Sequence, residues 1–211
     1  MKDYKLGELL FYALVDYIAY IPLVFFPFCK RLHHSKLLSY SSMVLIAIGF
    51  LVMSLGLAKG MPAWVVPIVS VIAAVGTMHW GLDVHPGKCL AVLLMEYSNA
   101  SFVAVMAKSL EMYFFPQRIH TLYGWTHSIF ILLGLVLLVI FDYFVVWKKM
   151  EPVINSTEES KAWNYIWITP LSFFIVWFIY TYSSNSYLNA VPEDPIILAM
   201  LAFFEAGSLV T

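Results

Sequence analysis

Residues 88–117, KCLAVLLMEYSNASFVAVMAKSLEMYFFPQ, constrain the fold of this chain more than any other stretch. The run is apolar enough to cross a bilayer, yet it carries Glu96, Asn99, Lys108 and Glu111. With 3.6 residues per turn, Glu96, Ala100, Ala104, Ala107 and Glu111 fall within one stripe about 80° wide. Alanines let another helix backbone come close, and a carboxylate placed among them needs a partner or water. The seam is therefore expected to face protein, and Leu94→Ala should be milder than a change in the seam if that position faces lipid. The plainest arrangement puts Glu111 at the outer interface and pairs Glu96 with a neighbouring helix. A functional arrangement would turn the same acids toward a ligand.

Composition extends this argument to the whole chain. Of 211 residues, 62% are hydrophobic and 12% charged, and the mean hydropathy is +0.82. Soluble domains carry about 25% charged residues, so an ordinary globular core is excluded. A spanning helix takes about 20 apolar residues, which leaves room for six or seven spans and no soluble domain. The fold class expected is all-α: a polytopic membrane helix bundle of about seven transmembrane helices, forming one domain over residues 1–211. The net charge of −1 gives no reason to expect a nucleic-acid partner. Two cysteines and no CxxC leave no disulfide framework.

The spans are expected at residues 6–28, 37–57, 64–82, 88–113, 122–147, 163–182 and 195–211. In the first, Glu8, Tyr12, Asp16 and Tyr20 form an i, i+4 ridge, and the tyrosine hydroxyls are local partners for Asp16. Glu8 and Asp16, followed by Lys30 and Arg31, make this segment unlike a cleavable signal peptide. Pro22 and Pro27 should kink or end it, and Pro170 should kink the sixth span. Lys59-Gly60-Met61-Pro62 reads as a tight turn. Pro67 falls in the first turn of the third span, where proline is tolerated. His79 with Asp83, and His85 with Cys89, have four-residue spacing, but Pro86-Gly87 interrupts the second pair. No HExxH accompanies them, so they read as a turn with interfacial histidines. His33-His34 on a short basic loop reads as solvated. Asn155-Ser156-Thr157 matches a glycosylation sequon, a weak signal. No residue takes a catalytic, cofactor-binding or metal-binding role. The candidate polar or sensing residues are Asp16, Glu96, Asn99, Glu111 and Glu205.

The loops after the first, third and fifth spans hold Lys30, Arg31, Lys36, Lys88, Lys148, Lys149 and Lys161. The other side holds Lys2, Lys5, Lys59, Lys108 and Arg118. The positive-inside rule then places the N-terminus outside and the C-terminus in the cytoplasm. Trp80, Trp147 and Trp163 near the inner ends, with Trp64 and Trp125 near the outer ones, read as aromatic belts. Cys29 and Cys89 then face a reducing compartment and read as free thiols.

Three stretches, in this order, carry a resemblance: PFCKRLHHSK, GKCLAVLLMEYSNASFVAVMAKSLEMYFFP and KKMEPVINSTEESKAWNYIWITPLSFF. Together with the closing AFFEAGSLVT they resemble the multi-helix membrane domain of GHKL-type bacterial sensor histidine kinases, relatives of the peptide-sensing quorum receptors. The resemblance implies the input half of a two-component system in the bacterial plasma membrane. It further implies a homodimer, a peptide or small-molecule signal, a cytoplasmic kinase module beyond the last span, and a response regulator. The last span has no Lys, Arg, Trp or Tyr after Glu205, which is expected if the helix continues into a signalling helix. These residues hold no GxGxxG phosphate loop, so ATP binding is not expected of them. The competing reading is a small multi-pass transporter or channel with Asp16 and Glu96 as ion or proton sites. It predicts internal repeats, and none is evident. An intramembrane enzyme finds no HExxH, GxSxG or paired-glutamate motif.

Overall fold

The computed structural model describes residues 11, 14, 15, 18–28, 36–62, 64–82, 84–118, 125–154, 156 and 161–183. Among them there are helices and turns and no strand. Asp16, Glu205, Asp83, Cys29, His33, His34, Asn155 and the seventh expected span lie outside the described residues.

The first apolar segment is built from short pieces. A 3-10 turn (Ile18–Tyr20) leads into α1 (Ile21–Phe25), and a second 3-10 turn (Phe26–Phe28) follows. Pro22 lies in the first turn of α1, where its missing N–H costs nothing, and Pro27 lies in the turn that ends it. Next comes α2 (Lys36–Ala58). Its end is closed by Lys59 N–H donating to the carbonyls of Leu55 and Gly56, and Met61 N–H donating to Gly56. Gly60 lies between them with φ 92°, the left-handed cap position that glycine occupies without strain. The expected tight turn is there.

Helix α3 (Val65–Leu82) carries Pro67 in its first turn, as expected. The chain then reverses through Val84 and His85 into α4 (Pro86–Phe114), the longest helix among the described residues. The two residues read as a break are its start. His85 caps the helix by accepting from Gly87 N–H, and Pro86 takes the first position. Phe115 and Pro116 end it. Helix α5 (Trp125–Phe141) runs into a π-helical stretch (Asp142–Trp147), then α6 (Lys148–Ile154). A 3-10 turn (Lys161–Asn164) precedes α7 (Ile168–Ser183). Pro170 falls in the first turn of α7, so it starts that helix rather than kinking it, contrary to expectation.

Among the described residues, three stretches are long and apolar enough to cross a membrane: Val65–Leu82, Pro86–Glu111 and Trp125–Phe144. They differ in burial. In α4, 56% of the apolar stretch is buried, against 22% in α5. Helix α4 is therefore the centre, packed against α3, α5, α7 and α1. One core joins Phe25 and Phe28 to Met78, Leu82 and Val92, and a second joins Leu23 to Met95, Val103, Leu138 and Trp147. Outward, α5 shows Leu132, Leu133, Val136, Leu137 and Ile140, and α2 shows Val44, Leu45, Ile48 and Val52. An aliphatic outer surface of this kind suits hydrocarbon rather than water.

Candidate functional site

The polar side chains of α4 meet the rest of the molecule at three levels. At its N-terminal end, Lys88 is buried, and Nζ donates to the backbone carbonyls of Ile154 (2.9 Å) and Ser156 (3.0 Å). The same ammonium stands 4.3 Å from the centroid of the Trp163 ring. Two carbonyls and an aromatic face replace the water that a buried amine has lost. Gly87 makes this possible, because a Cβ there would meet the Trp163 carbonyl oxygen at 2.1 Å.

At the C-terminal end, Glu111 is fully buried. Lys108 Nζ lies 2.7 Å from one carboxylate oxygen, and the Thr126 hydroxyl donates to the other. His127 Nδ1 stands 4.0 Å away. The i, i+3 spacing puts Lys108 beside Glu111 on one face of α4, while the first turn of α5 brings Thr126 and His127 across. Glu111 therefore does not sit at an exposed interface. Both of its oxygens are bonded, while His127 Nδ1 beside them makes no hydrogen bond among the described residues.

The middle level is different. Glu96 and Asn99 share a face of α4 and look onto the π-helical stretch, where Asp142 is buried. Asn99 Nδ2 donates to Asp142 Oδ1 at 3.5 Å, the limit of a hydrogen bond. Asp142 and the Trp147 indole are close enough to Glu96 to act on its charge. Both Glu96 oxygens, Asp142 Oδ2 and Trp147 Nε1 are buried, and none of these four atoms makes a hydrogen bond of good geometry among the described residues. The apolar cluster of Leu23, Met95, Val103 and Leu138 adjoins them, and Trp147 is stacked on Phe26 at 3.9 Å between ring centroids.

Two of the five candidate residues, Glu96 and Asn99, are thus brought together. Glu111 belongs to a separate level about 22 Å along the axis, and Asp16 and Glu205 lie outside the described residues. The alanine seam faces neighbouring helices, with Ala107 buried and Ala100 and Ala104 packed on the core. Leu94 is fully buried, so the condition for a mild Leu94→Ala, a lipid-facing position, is not met. Trp147 and Trp163 are buried against Phe26 and Lys88 rather than set in a belt, whereas Trp64, Trp80 and Trp125 are exposed. His79 Nδ1 is 2.7 Å from the Val84 carbonyl oxygen, and His85 is the helix cap. Cys89 is a buried free thiol.

Asp142 was missed by the sequence reading, though its signal was plain: one carboxylate in the apolar run LVIFDYFVVW. Thr126 and His127 gave no such signal. No family model matches the chain, and no characterised protein or solved structure matches it either.

Proposed function

We propose that the chain is the membrane input domain of a bacterial two-component sensor histidine kinase, in which the kinase module lies outside these residues. The carrying observation is the ordered set of stretches resembling that family, spread over most of the sequence. The buried α4 supports the reading. Its three polar levels tie it to α5, to the chain after α6 and to the π-helical stretch, so its displacement would remake all of these contacts at once. A cue felt anywhere on the bundle could then be read out as movement of one helix. On this reading the bundle has seven spans in the plasma membrane, works as a homodimer, and passes its signal to a kinase module and a response regulator.

The test is a fusion of residues 1–211 to a GHKL-type kinase core in nanodiscs. Autophosphorylation from ATP should change by severalfold when Asn99 or Asp142 is replaced. If no substitution in the chain moves the kinase rate, the sensor reading fails. The second reading, a small transporter, is favoured by one observation, the unsatisfied carboxyls at mid-helix. It predicts ion-dependent flux in proteoliposomes of the chain alone.

A further inference from the structure

We infer that Glu96 and Asp142 form one proton-binding site in the centre of the bundle, two carboxyls sharing a single proton and faced by the N–H donors of Trp147 and Asn99. Both acids are at most 1% exposed, and three of their four oxygens lack a hydrogen-bond partner among the described residues. The Trp147 indole, 4% exposed, holds an unpartnered N–H beside them. Acids and donors are therefore gathered in one buried place, with the Asn99–Asp142 contact made and the other bonds unmade.

Charge decides what completes the site. Among the described residues no cation reaches the pair. Lys88 is held by Ile154, Ser156 and Trp163, and Lys108 by Glu111. Lys148 is exposed, over the rings of Tyr143 and Phe144. The N-terminal segment adds Tyr20 and Leu23 to the surrounding cluster, and α7 meets α4 through Phe174 against Tyr97. Two facing carboxylates with no cation repel strongly where water is excluded. One shared proton removes that repulsion and leaves one negative charge, which two N–H donors can stabilise.

A metal ion fits less well. Hard cations draw on six or more oxygens, and here the remaining directions are taken by N–H donors and apolar side chains. Losing the proton to a base in bulk water would leave both carboxylates charged, and they must then separate or admit water. The π-helical stretch would move against α4. Such widened turns mark functional sites in helices, and this one begins at Asp142. The inference holds whether the chain senses or transports.

Infrared spectroscopy of the chain in nanodiscs, in H2O and D2O at neutral pH, tests it. A protonated-carboxyl C=O band that shifts in D2O is expected, altered in E96Q and in D142N and absent from the double variant. E111Q, at the distant cluster, should leave the band in place. W147F keeps both acids and should shift the band frequency, and it reports even if E96Q fails to fold. No band in the wild-type chain, a band indifferent to E96Q and D142N, or an unmoved frequency in W147F overturns the proposal. Loss of the band when sodium replaces choline would make the site a metal-ion site and overturn it equally.

Discussion

The cost of a buried charge depends on what remains when its partner is removed. Glu111 has two partners of different kinds, a lysine on its own helix and a threonine from the next. Lys108→Met strands a carboxylate among apolar atoms and should destabilise by about 3–5 kcal/mol, read as a lower SDS midpoint. The double variant Lys108→Met with Glu111→Met should recover most of that loss. Equal destabilisation in single and double variants would show that the pair packs rather than pairs. Thr126→Val removes one donor only and should cost about 1–3 kcal/mol. Sequence spacing exposes the Lys108–Glu111 contact, because i, i+3 neighbours must meet on a helix. Thr126 could not be found that way, since its contact depends on the register of α5 against α4.

Helix crossings place their tightest demands on glycines. Where α2 meets α3, a Cβ on Gly81 would lie 1.6 Å from Ser42 Oγ and 2.7 Å from Ser42 Cβ. The two helices touch there, and Ser39 Oγ donates to the Gly81 carbonyl at 3.3 Å. Gly81→Ala should force them apart at a cost of about 1–3 kcal/mol. Gly76 lies on the same helix with nothing within 4 Å of an added Cβ. Gly76→Ala should be neutral or stabilising by up to about 1 kcal/mol, since alanine favours helix. Thermal unfolding in detergent would compare them, and equal midpoints would contradict the close crossing. Leu94→Ala opens a cavity in a full core and should cost about 2–5 kcal/mol, whereas Leu137→Ala, 68% exposed, should be mild. The helices α2, α3 and α4 begin and end within two residues of the expected apolar runs, whereas α5 begins three residues late and α7 five. The broken first segment was legible from Pro22 and Pro27. The π-helical stretch was not, because nothing in FDYFVVW distinguishes a widened turn from an ordinary one.

On the scale of the whole molecule, polar contacts sort the loops by end. Lys88, at the start of α4, is bonded to Ile154 and Ser156, so the chain after α3 and the chain after α6 share one end of the bundle. At the opposite end Glu111 meets Thr126, joining the close of α4 to the opening of α5. The grouping behind the base count has that same pattern, loops after the third and fifth spans on one side. Burial removes Lys88 and Lys108 from the count, since both are spent on contacts inside the protein. On the topology expected from sequence, the remaining bases still favour the side assigned Lys30, Arg31, Lys36, Lys148, Lys149 and Lys161 over the side assigned Lys2, Lys5, Lys59 and Arg118. The favoured side is expected to face the cytoplasm. Alkaline phosphatase fused after Lys59 should be active, and after Lys36 silent, with a fluorescent-protein fusion giving the reverse. Activity at Lys36 with silence at Lys59 would turn the bundle over, so that the end of α4 holding Lys88 faced outward. Activity at both sites would mean that α2 does not cross the membrane, and the seven-span count would fall with it.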